Sequence, residues 1–348
     1  MGLEIRIKRV IFEDGRNYKN QEVFQMSESN LPAELVMLKY IAPYGIFKHG
    51  PVKVLAHTQT RFQTLDILDS GILGKILLLD NSLQSCTSDE FLYHEPLVQP
   101  SCICHGAPES VLVLGGGEGA TVREALKWKS VKRVVMVDID EEAVELCRKF
   151  MPEMSKGSFE DLRTELIIGD AFEFFDKSNE KWDIIISDLT EPVEEGISAK
   201  LFTKEYFERC ASALKPGGFF AMHSGPVSPT EIGMLHVRLA NTLREVFGNI
   251  LHYTSYIPSF GATWGFVMGR PDGAIVIPDC RETDKILAEC TNGDFKMLDG
   301  QALPGVMCTP KYVRQAVENE TGVFSLAAPP DFRFIEVKEE LGYRYLKK

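Results

Sequence analysis

The chain has 348 residues, of which 44% are hydrophobic and 25% charged, and its formal net charge at pH 7 is −12. This is the composition of a globular protein long enough for one large domain or two, and its acidity argues against nucleic-acid binding because phosphates would be repelled. No run of about 18 apolar residues predicts a membrane span, and the N-terminus lacks the apolar core of a signal peptide. We therefore expect no membrane partner and a cytoplasmic location.

Residues 1–105 are predicted to form a β-rich domain. Short β-like segments at residues 52–57, 61–68 and 75–80 are separated by turn residues, which is typical of a small antiparallel sheet. Residues 5–12 are predicted to form a strand. Residues 32–41 are predicted to form a short helix, because a proline stands at an early position.

Residues 106–348 are predicted to form a second, Rossmann-like domain in which strands and helices alternate. Strands are expected at residues 111–114, 131–137, 164–168, 183–187 and 219–222. Helices are expected at residues 120–129, 141–150 and 204–214. Short apolar strands that alternate with helices of this length favour an α/β fold with a doubly wound parallel sheet.

Polar residues follow four of these strands at their carboxyl ends, where ligands bind in sheets of this kind. They are the loop GGGEG at residues 115–119, Asp138, Asp170 and Asp188. Each aspartate alone could equally cap a helix, since aspartate is a favoured N-cap residue. The four positions together favour a ligand-binding cleft.

The glycine loop, with Gly115 and Gly117, allows a ligand to approach the backbone closely. Its Glu118 would repel a pyrophosphate, which argues against a dinucleotide and for a nucleoside without phosphates. A carboxylate here suits the bare ammonium of decarboxylated S-adenosylmethionine better than the carboxylate end of S-adenosylmethionine, although it could also bind the amino group of the latter. Asp138 stands where an acid commonly binds ribose hydroxyls, and Asp170 suits the adenine amino group.

The chain has eight cysteines, which do not suggest a disulfide framework. Cys102, Cys104 and His105 lie close together in the sequence, and such a group could indicate a metal site. No second Cys/His pair stands at the spacing of a zinc ribbon or zinc finger. We therefore predict reduced thiols and no metal.

Several motifs together resemble the polyamine aminopropyltransferases, that is, the spermidine and thermospermine synthases. Four of them follow the predicted strands: GGGEG at 115–119, DID at 138–140, GDA at 169–171 and DLTEP at 188–192. Others lie on either side: Gln84, DEFLYHE at 89–95 and IPSF at 257–260. The resemblance extends from about residue 60 to residue 268, with the motifs in the order of the family.

The resemblance implies a fold and a reaction. The fold is a doubly wound sheet of the S-adenosylmethionine-methyltransferase type, preceded by a small antiparallel β domain. The reaction moves the aminopropyl group of decarboxylated S-adenosylmethionine to a polyamine such as putrescine or spermidine, and it releases methylthioadenosine. The nucleoside is a co-substrate, and no cofactor or metal is implied. Family members are often dimers or tetramers, so we expect a homodimer or a homotetramer.

The resemblance also implies roles for individual residues. Asp188 is the catalytic aspartate that accepts a proton from the amine, and Tyr93 orients the attacking nitrogen. The implied donor-binding residues are Gln63, Gly115, Gly117, Glu118, Asp138 and Asp170. The implied acceptor-binding residues are His94, Glu191, His223, Phe260 and Trp264.

Two departures from the family pattern bear on the acceptor. His223 stands where many spermidine synthases have glutamine, and Phe260 where they have tyrosine. Loss of that hydroxyl favours a triamine or a relaxed specificity. Glu194 and Glu195 either extend a negative channel for a longer polyamine or are simply solvated.

Two other functions are compatible with the sequence. A methyltransferase that uses S-adenosylmethionine would share the nucleoside-binding sheet, but it would more often carry a motif such as NPPY after the fourth strand, where this chain has DLTEP. A polyamine-binding protein without catalysis would use the same fold. The presence of both Asp188 and Tyr93 argues against it.

Overall fold

The computed structural model describes residues 10–12, 35–42, 45–80, 82–192 and 198–330, with side chains from residue 52 onward. Within these ranges the chain divides into two compact units. The smaller contains the described residues up to Asp89 and the segment Ser259–Gly261, and the larger contains Glu90–Pro258 and residues 262–330. The division falls before Glu90, whereas the sequence predicted a boundary after residue 105. The reason is that the helix over residues 91–105 packs into the core of the larger unit.

The smaller unit is built on a six-stranded sheet whose strands follow one another in chain order. The strands are β1 (Val10–Phe12), β2 (Leu35–Ala42), β3 (Gly45–Gln59), β4 (Thr64–Asp69), β5 (Lys75–Leu79) and β6 (Ser82–Cys86). All neighbours are antiparallel except β1 and β2, which are parallel. The predicted antiparallel sheet is therefore confirmed.

One prediction in this unit is wrong. Residues 32–41 were expected to form a helix, but residues 35–41 belong to β2, which pairs with β3, and residues 32–34 lie outside the described residues. The segment LVMLKYIA is rich in aliphatic and aromatic residues, which suit a strand as well as a helix. Pairing with β3 decides between the two. Of the predicted strand at residues 5–12, residues 10–12 form β1, and residues 5–9 lie outside the described residues.

The larger unit is built on a seven-stranded sheet with the order β12-β13-β11-β10-β7-β8-β9. Its strands are β7 (Ser110–Gly115), β8 (Arg133–Asp138), β9 (Thr164–Ile168), β10 (Trp182–Asp188), β11 (Leu214–Pro226), β12 (Asn249–Ile257) and β13 (Ala262–Arg270). Strands β7 to β11 are parallel, and β13 runs antiparallel to both of its neighbours. The predicted doubly wound α/β fold is confirmed, with one reversed strand near an edge.

Helices cover this sheet. They are α1 (Phe91–His105), α2 (Ala120–Leu126), α3 (Glu141–Phe150), α4 (Pro152–Ser155), α5 (Ala171–Lys177), α6 (Lys204–Ser212), α7 (His236–Phe247), α8 (Cys280–Cys290), α9 (Ala302–Met307) and α10 (Lys311–Asn319). A single 3₁₀ turn at Ala199–Phe202 precedes α6.

The core of the larger unit lies on both faces of the sheet. Val111 and Val113 of β7 belong to one buried cluster with α1 and α2, while Leu112 and Leu114 belong to another with α6 and α7. Successive strand residues point to opposite faces, so an unbroken apolar run such as β7 indicates a strand that is covered on both.

The strand order places the ligand site. From β7 the chain proceeds outward to β8 and β9, and it then returns to the other side of β7 as β10. The carboxyl ends of β7 and β10 therefore border a crevice at the point where the direction of winding reverses, which is the usual ligand site of such sheets.

Candidate active site

The glycine loop after β7 lies directly against the end of β10. The Gly116 amide donates a 2.9 Å hydrogen bond to the Asp188 carbonyl oxygen. Gly115 has φ +83°, and a Cβ added there would lie 2.2 Å from the same oxygen. This close approach requires glycine, and it brings the residues that follow the two strands into one site.

Asp188 is held by two hydroxyl groups. The Tyr93 hydroxyl donates a 2.7 Å hydrogen bond to Oδ1, and the Thr121 hydroxyl bonds to Oδ2 at 2.5 Å. Desolvation by the surrounding protein and the nearby charge of Glu118 raise the pKa of Asp188, against the lowering effect of His94 and of these two hydrogen bonds. Both direct partners of Asp188 are neutral, so among the described residues no cationic side chain is bonded to it.

Glu118 faces a histidine. His94 is fully buried on α1, its Nε2 lies 3.1 Å from Glu118 Oε1, and its Nδ1 lies 3.0 Å from Glu90 Oε2. Burial alone lowers the pKa of His94, but its hydrogen bonds to Glu118 and Glu90 outweigh this effect and raise that pKa to about 10. His94 is therefore an imidazolium at neutral pH.

His94, Glu118 and Asp188 each bring one polar atom within 4.8 Å of the other two. This spacing would suit a metal ion, but the donor set does not. Both nitrogens of His94 face oxygen acceptors and carry protons, so neither offers a lone pair to a metal. The cluster is better suited to organic cations and to proton transfer.

Asp138 ends β8 beside the glycine loop. Its Oδ1 accepts a 2.9 Å hydrogen bond from the Asp140 amide, and its Oδ2 would lie 3.1 Å from a Cβ added at Gly117. Asp140 and not Asp138 caps helix α3. Desolvation and the charges of Asp140 and Glu118 raise the pKa of Asp138 to about 6, although the Asp140 amide opposes this rise.

Asp170 follows β9 and combines two roles. Its side chain caps α5 by accepting hydrogen bonds from the Phe172 and Glu173 amides, and it pairs with Lys200 at 2.6 Å. Desolvation would raise the pKa of Asp170, but Lys200 and the helix amides hold it below its usual value. Helix capping, the structural alternative to ligand binding, is therefore present at Asp170.

The acceptor candidates of the larger unit lie around Tyr93. The His223 ring is 5.9 Å from the Tyr93 ring and 6.4 Å from the Trp264 ring, centroid to centroid. Its Nε2 lies 2.5 Å from the Leu189 carbonyl oxygen. The charge of Glu191 contributes, after burial and Asp188, to raising the pKa of Tyr93. His94 was assigned to the acceptor, but both of its nitrogens face carboxylates, those of Glu90 and Glu118.

Two predicted residues belong to the smaller unit. Gln63 closes a turn before β4, where its carbonyl accepts a 2.9 Å hydrogen bond from the Thr60 amide. Phe260 is buried in the segment Ser259–Gly261. Glu194 and Glu195 lie outside the described residues.

Sequence reasoning missed three residues of the site. Thr121 bonds to Asp188, and Glu90 and Arg123 extend the contacts of His94. Thr121 could have been found from its position, since the first turn of a helix after a glycine loop faces the ligand site. Glu90 and Arg123 carry no comparable signal, because they are 33 residues apart.

Comparison with known proteins identifies the family. Residues 90–276 match the model of the spermine/spermidine synthase domain. The polyamine aminopropyltransferase of Synechococcus sp. (strain JA-3-3Ab) is 42% identical over 299 residues, which cover 84% of this chain and 96% of that protein. The thermospermine synthase ACAULIS5 of Arabidopsis thaliana is 36% identical over 273 residues, which cover 78% and 80%.

Solved structures agree with these sequence matches. Spermidine synthase from Thermotoga maritima superimposes with a TM-score of 0.72 at 26% identity, over 85% of this chain and 98% of that one. A spermidine synthase in complex with the transition-state analogue AdoDATO gives a TM-score of 0.73 at 26% identity, over 85% and 99%. None of the described helices is long and apolar enough to cross a membrane.

The fold, the site and these matches define a Rossmann-like transferase of the spermine/spermidine synthase type. The chain belongs to the polyamine aminopropyltransferase family. The family resemblance predicted from the sequence motifs is thereby confirmed.

Proposed function

We propose that the chain transfers the aminopropyl group of decarboxylated S-adenosylmethionine to a polyamine and releases methylthioadenosine. The observation that carries this proposal is the cluster of Tyr93, Glu118 and Asp188 at the carboxyl ends of β7 and β10. In this cluster the Glu118 carboxylate lies beside the imidazolium of His94, and the direct partners of the Asp188 carboxylate are neutral hydroxyl groups. Such a site can take up a cationic donor and also accept a proton.

The reaction is a displacement at carbon. The amine nitrogen forms a bond to the carbon next to the sulfonium, and the carbon–sulfur bond breaks with its electron pair left on sulfur. The nucleophile must first lose a proton, because an amine with a pKa near 10.4 is almost wholly protonated at pH 7. That step costs about 4–5 kcal/mol, at about 1.36 kcal/mol per pH unit.

In this proposal Asp188 accepts the proton. Desolvation raises the pKa of Asp188, which reduces the difference from the pKa of the amine. Tyr93 holds the carboxylate by a hydrogen bond to Oδ1. The same Tyr93 hydroxyl lies where it can orient the incoming nitrogen. Alignment of nitrogen, carbon and sulfur supplies much of the remaining rate enhancement. The nucleoside donor is a co-substrate, and no cofactor enters this scheme.

The donor lies along the ends of β7, β8 and β9 in this proposal. Glu118 binds its ammonium, Asp138 the ribose hydroxyls and Asp170 the adenine amino group, while Gly115 and Gly117 allow the close approach. At Asp170 the adenine would have to share or replace the contact with Lys200. Gln63 is the remaining residue that the family resemblance assigns to the donor.

For the acceptor we propose a triamine such as spermidine, with putrescine as the alternative. His223 and Trp264 supply an aromatic surface, and Glu191 supplies a charge near Tyr93. Phenylalanine at position 260 offers no hydroxyl to the end of a short diamine. In its working form the enzyme is proposed to be a homodimer or a homotetramer that acts on small molecules.

The test is a turnover assay in which decarboxylated S-adenosylmethionine and S-adenosylmethionine are supplied as donors in separate reactions. The protein is mixed with decarboxylated S-adenosylmethionine and, one at a time, putrescine, spermidine and agmatine, and methylthioadenosine is quantified by chromatography. Release that depends on the amine supports the proposal, with spermidine expected to be used best. Methyl transfer from S-adenosylmethionine, or amine binding without release of methylthioadenosine, would overturn it.

A further inference from the structure

A line of charged side chains runs inward from Glu118 between α1 and α2. The His94 ring lies between Glu118 Oε1 at 3.1 Å and Glu90 Oε2 at 3.0 Å. The same oxygen of Glu90 accepts a 2.7 Å hydrogen bond from the Arg123 guanidinium. His94, Glu90 and Arg123 are all buried. The ligand-facing carboxylate is thus the outer end of an internal network.

The inner end of the network is anchored. Arg123 also donates to Glu124 at 3.0 Å and to the Met154 carbonyl oxygen at 2.5 Å. Glu124 in turn pairs with Lys127 at 2.8 Å. Three carboxylates and three cations therefore alternate from Glu118 to Lys127, and each carboxylate has a cation beside it.

This network serves Glu118 and not Asp188. Asp188 bonds to the hydroxyls of Tyr93 and Thr121, and Glu118 bonds to the imidazolium of His94. Buried ion pairs add little net stability over apolar packing of the same volume. A neutral buried network that ends at a ligand-facing carboxylate is therefore better explained by positioning than by stability.

The geometry also limits how the His94 ring can turn. Nδ1 bonds to both the side chain and the carbonyl oxygen of Glu90, the residue just before α1, while Nε2 faces Glu118. Because both nitrogens donate, a flipped ring would lose its alignment with the two carboxylates. Arg123 restrains Glu90 from the side of α2, and Glu90 restrains the ring.

We propose that Glu90 and Arg123 are positioning residues: through the His94 ring they hold the Glu118 carboxylate in one orientation for the ammonium of the donor. This inference rests on the proposed function. Since Oε1 faces His94, the second oxygen of Glu118 is the one that a ligand reaches. A carboxylate that is already ordered loses less entropy when the ligand binds, so the affinity for the donor rises.

The substitution Glu90→Gln tests this inference by calorimetry with two ligands. Decarboxylated S-adenosylmethionine carries the ammonium that Glu118 binds, and methylthioadenosine lacks the whole aminopropyl group. We expect the Kd of the donor to rise about tenfold, as coupled neighbours in one network do, and the Kd of methylthioadenosine to stay unchanged. In a Glu118→Gln background, Glu90→Gln is expected to add no further loss.

Glu95→Gln is the matched control. Glu95 adjoins His94 on α1 but binds the backbone amides of Lys296, Met297 and Leu298. The control is expected to lower stability and to leave the ratio of the two Kd values as in wild type. Should Glu90→Gln not fold, Arg123→Lys keeps the charge but loses the forked contact, and it is expected to give a smaller loss specific to the donor.

Two results would overturn the inference. One is equal weakening of donor and methylthioadenosine by Glu90→Gln or, where that variant does not fold, by Arg123→Lys. The other is a full additional loss in the Glu118→Gln background. Failure of the proposed function is distinguishable, because wild-type protein would then bind decarboxylated S-adenosylmethionine no better than methylthioadenosine and would release no product.

Discussion

At the scale of single residues, two carboxylates of one cluster differ in their counter-charges. Glu118 has the imidazolium of His94 beside it, whereas Asp188 has the hydroxyls of Tyr93 and Thr121. A carboxylate paired with a cation stays ionised, and one held by hydroxyls in a desolvated site gains most from a proton. In the proposed function, Glu118 therefore binds the cationic donor and Asp188 accepts the proton.

The substitution Asp188→Asn tests that assignment. The amide keeps the size of the side chain but cannot accept a proton from the amine, so we expect kcat to fall by about 10²–10⁴-fold. Steady-state release of methylthioadenosine measures this, and calorimetric binding of methylthioadenosine should stay near the wild-type value. Asp176→Asn, at a side chain that is 60% exposed and far along α5, serves as control and should keep the wild-type rate.

A rate for Asp188→Asn within a few-fold of wild type would contradict the role of Asp188 as base. Loss of methylthioadenosine binding together with turnover would instead indicate damage to the whole site.

The strand-end acids could be predicted, but their partners could not. Asp138 and Asp188 were recognisable because the carboxyl ends of parallel strands meet at one edge of a sheet. The contact of His94 with Glu118 joins residues 24 positions apart, and it depends on how α1 lies across α2. No local sequence pattern indicates the contact between His94 and Glu118. The sequence analysis therefore assigned His94 to the acceptor.

At the scale of elements, three successive residues of helix α1 point in three directions and make three different contacts. Tyr93 contacts Asp188, His94 contacts Glu118, and Glu95 accepts hydrogen bonds from three successive backbone amides at residues 296–298. Neighbouring helix residues point about 100° apart, which allows this division. The third contact ties a distant loop to the helix that carries the first two.

Glu95→Gln is expected to lower the free energy of unfolding by about 1–3 kcal/mol. The buried carboxylate accepts three amide hydrogens, and a neutral amide has only one oxygen for them, so at least one buried amide loses its partner. Urea unfolding followed by circular dichroism measures the change. Glu145→Gln, whose side chain is 61% exposed, should change stability by less than about 0.5 kcal/mol. Equal effects of the two substitutions would show that Glu95 does not anchor the loop.

The junction of β7 and β10 gives a second prediction at this scale. In Gly115→Ala the alanine would have to adopt a positive φ of +83°, and its Cβ would lie 2.2 Å from the Asp188 carbonyl oxygen. In Gly157→Ala the alanine would have to adopt a φ of +82°, but its Cβ would have no other described atom within 4 Å. We expect the first to cost about 1–3 kcal/mol more than the second, because overpacking adds to the same backbone strain.

Thermal or urea unfolding of both glycine variants checks this difference, and Gly115→Ala should also lose turnover because it displaces Asp188. A Gly115→Ala protein as stable and as active as Gly157→Ala would show that the approach of the two strands does not matter.

The pattern of the elements explains which of them were predictable. The strands β7 to β10 were recognised within one or two residues, since each is a short apolar run followed by a polar end. Helix α1 was missed because it contains Pro96 and Pro100 and is buried continuously from His94 to Ile103, so it shows no amphipathic period. The helix predicted at residues 32–41 was wrong because strand pairing overrode an ambiguous local pattern.

At the scale of the whole molecule, three wholly or partly buried histidines make stability depend on pH in both directions. His236 and His252 lie with ring centroids 5.5 Å apart. Burial lowers the pKa of His236 to about 3, helped by His252, and lowers that of His252 to about 4, helped by Arg314 and Arg244. The opposite holds for His94, whose pKa is raised to about 10 by carboxylates that overcome its burial.

The signs follow from linkage. Below pH 6.5 the unfolded chain binds protons at His236 and His252 that the folded chain does not, so stability falls as the pH drops toward 4. Above pH 6.5 the unfolded chain loses the His94 proton that the folded chain keeps, so the contribution of His94 is lost as the pH rises toward about 10. We expect these three histidines together to favour folding most near pH 6.5.

Urea unfolding between pH 4 and pH 9 measures this profile. On the acid side His236 and His252 should each contribute about 1 kcal/mol per pH unit. His252→Gln should flatten the acid limb, and His94→Gln should flatten the alkaline limb. A stability that is constant from pH 7 to pH 4 would contradict the account of the two neutral histidines.

The overall architecture was predictable from the order of strand-like and helix-like segments along the chain. Alternating strands and helices after residue 110 predicted the doubly wound sheet, and the β-like segments before residue 81 predicted the antiparallel sheet. The reversed strand β13 and the helices after it were not predicted. Their placement depends on long-range packing, such as the pairing of β13 with β11 about 45 residues earlier, for which a local pattern has no signal.

The most direct test of the central claim follows the transferred carbon atoms. Decarboxylated S-adenosylmethionine labelled with carbon-13 in its aminopropyl chain is incubated with the protein and spermidine, and the products are read by NMR. The label is expected to leave the nucleoside and to appear bonded to a polyamine nitrogen, with one methylthioadenosine formed for each transfer. Label that stays on the nucleoside, with putrescine as well as with spermidine, would contradict the account.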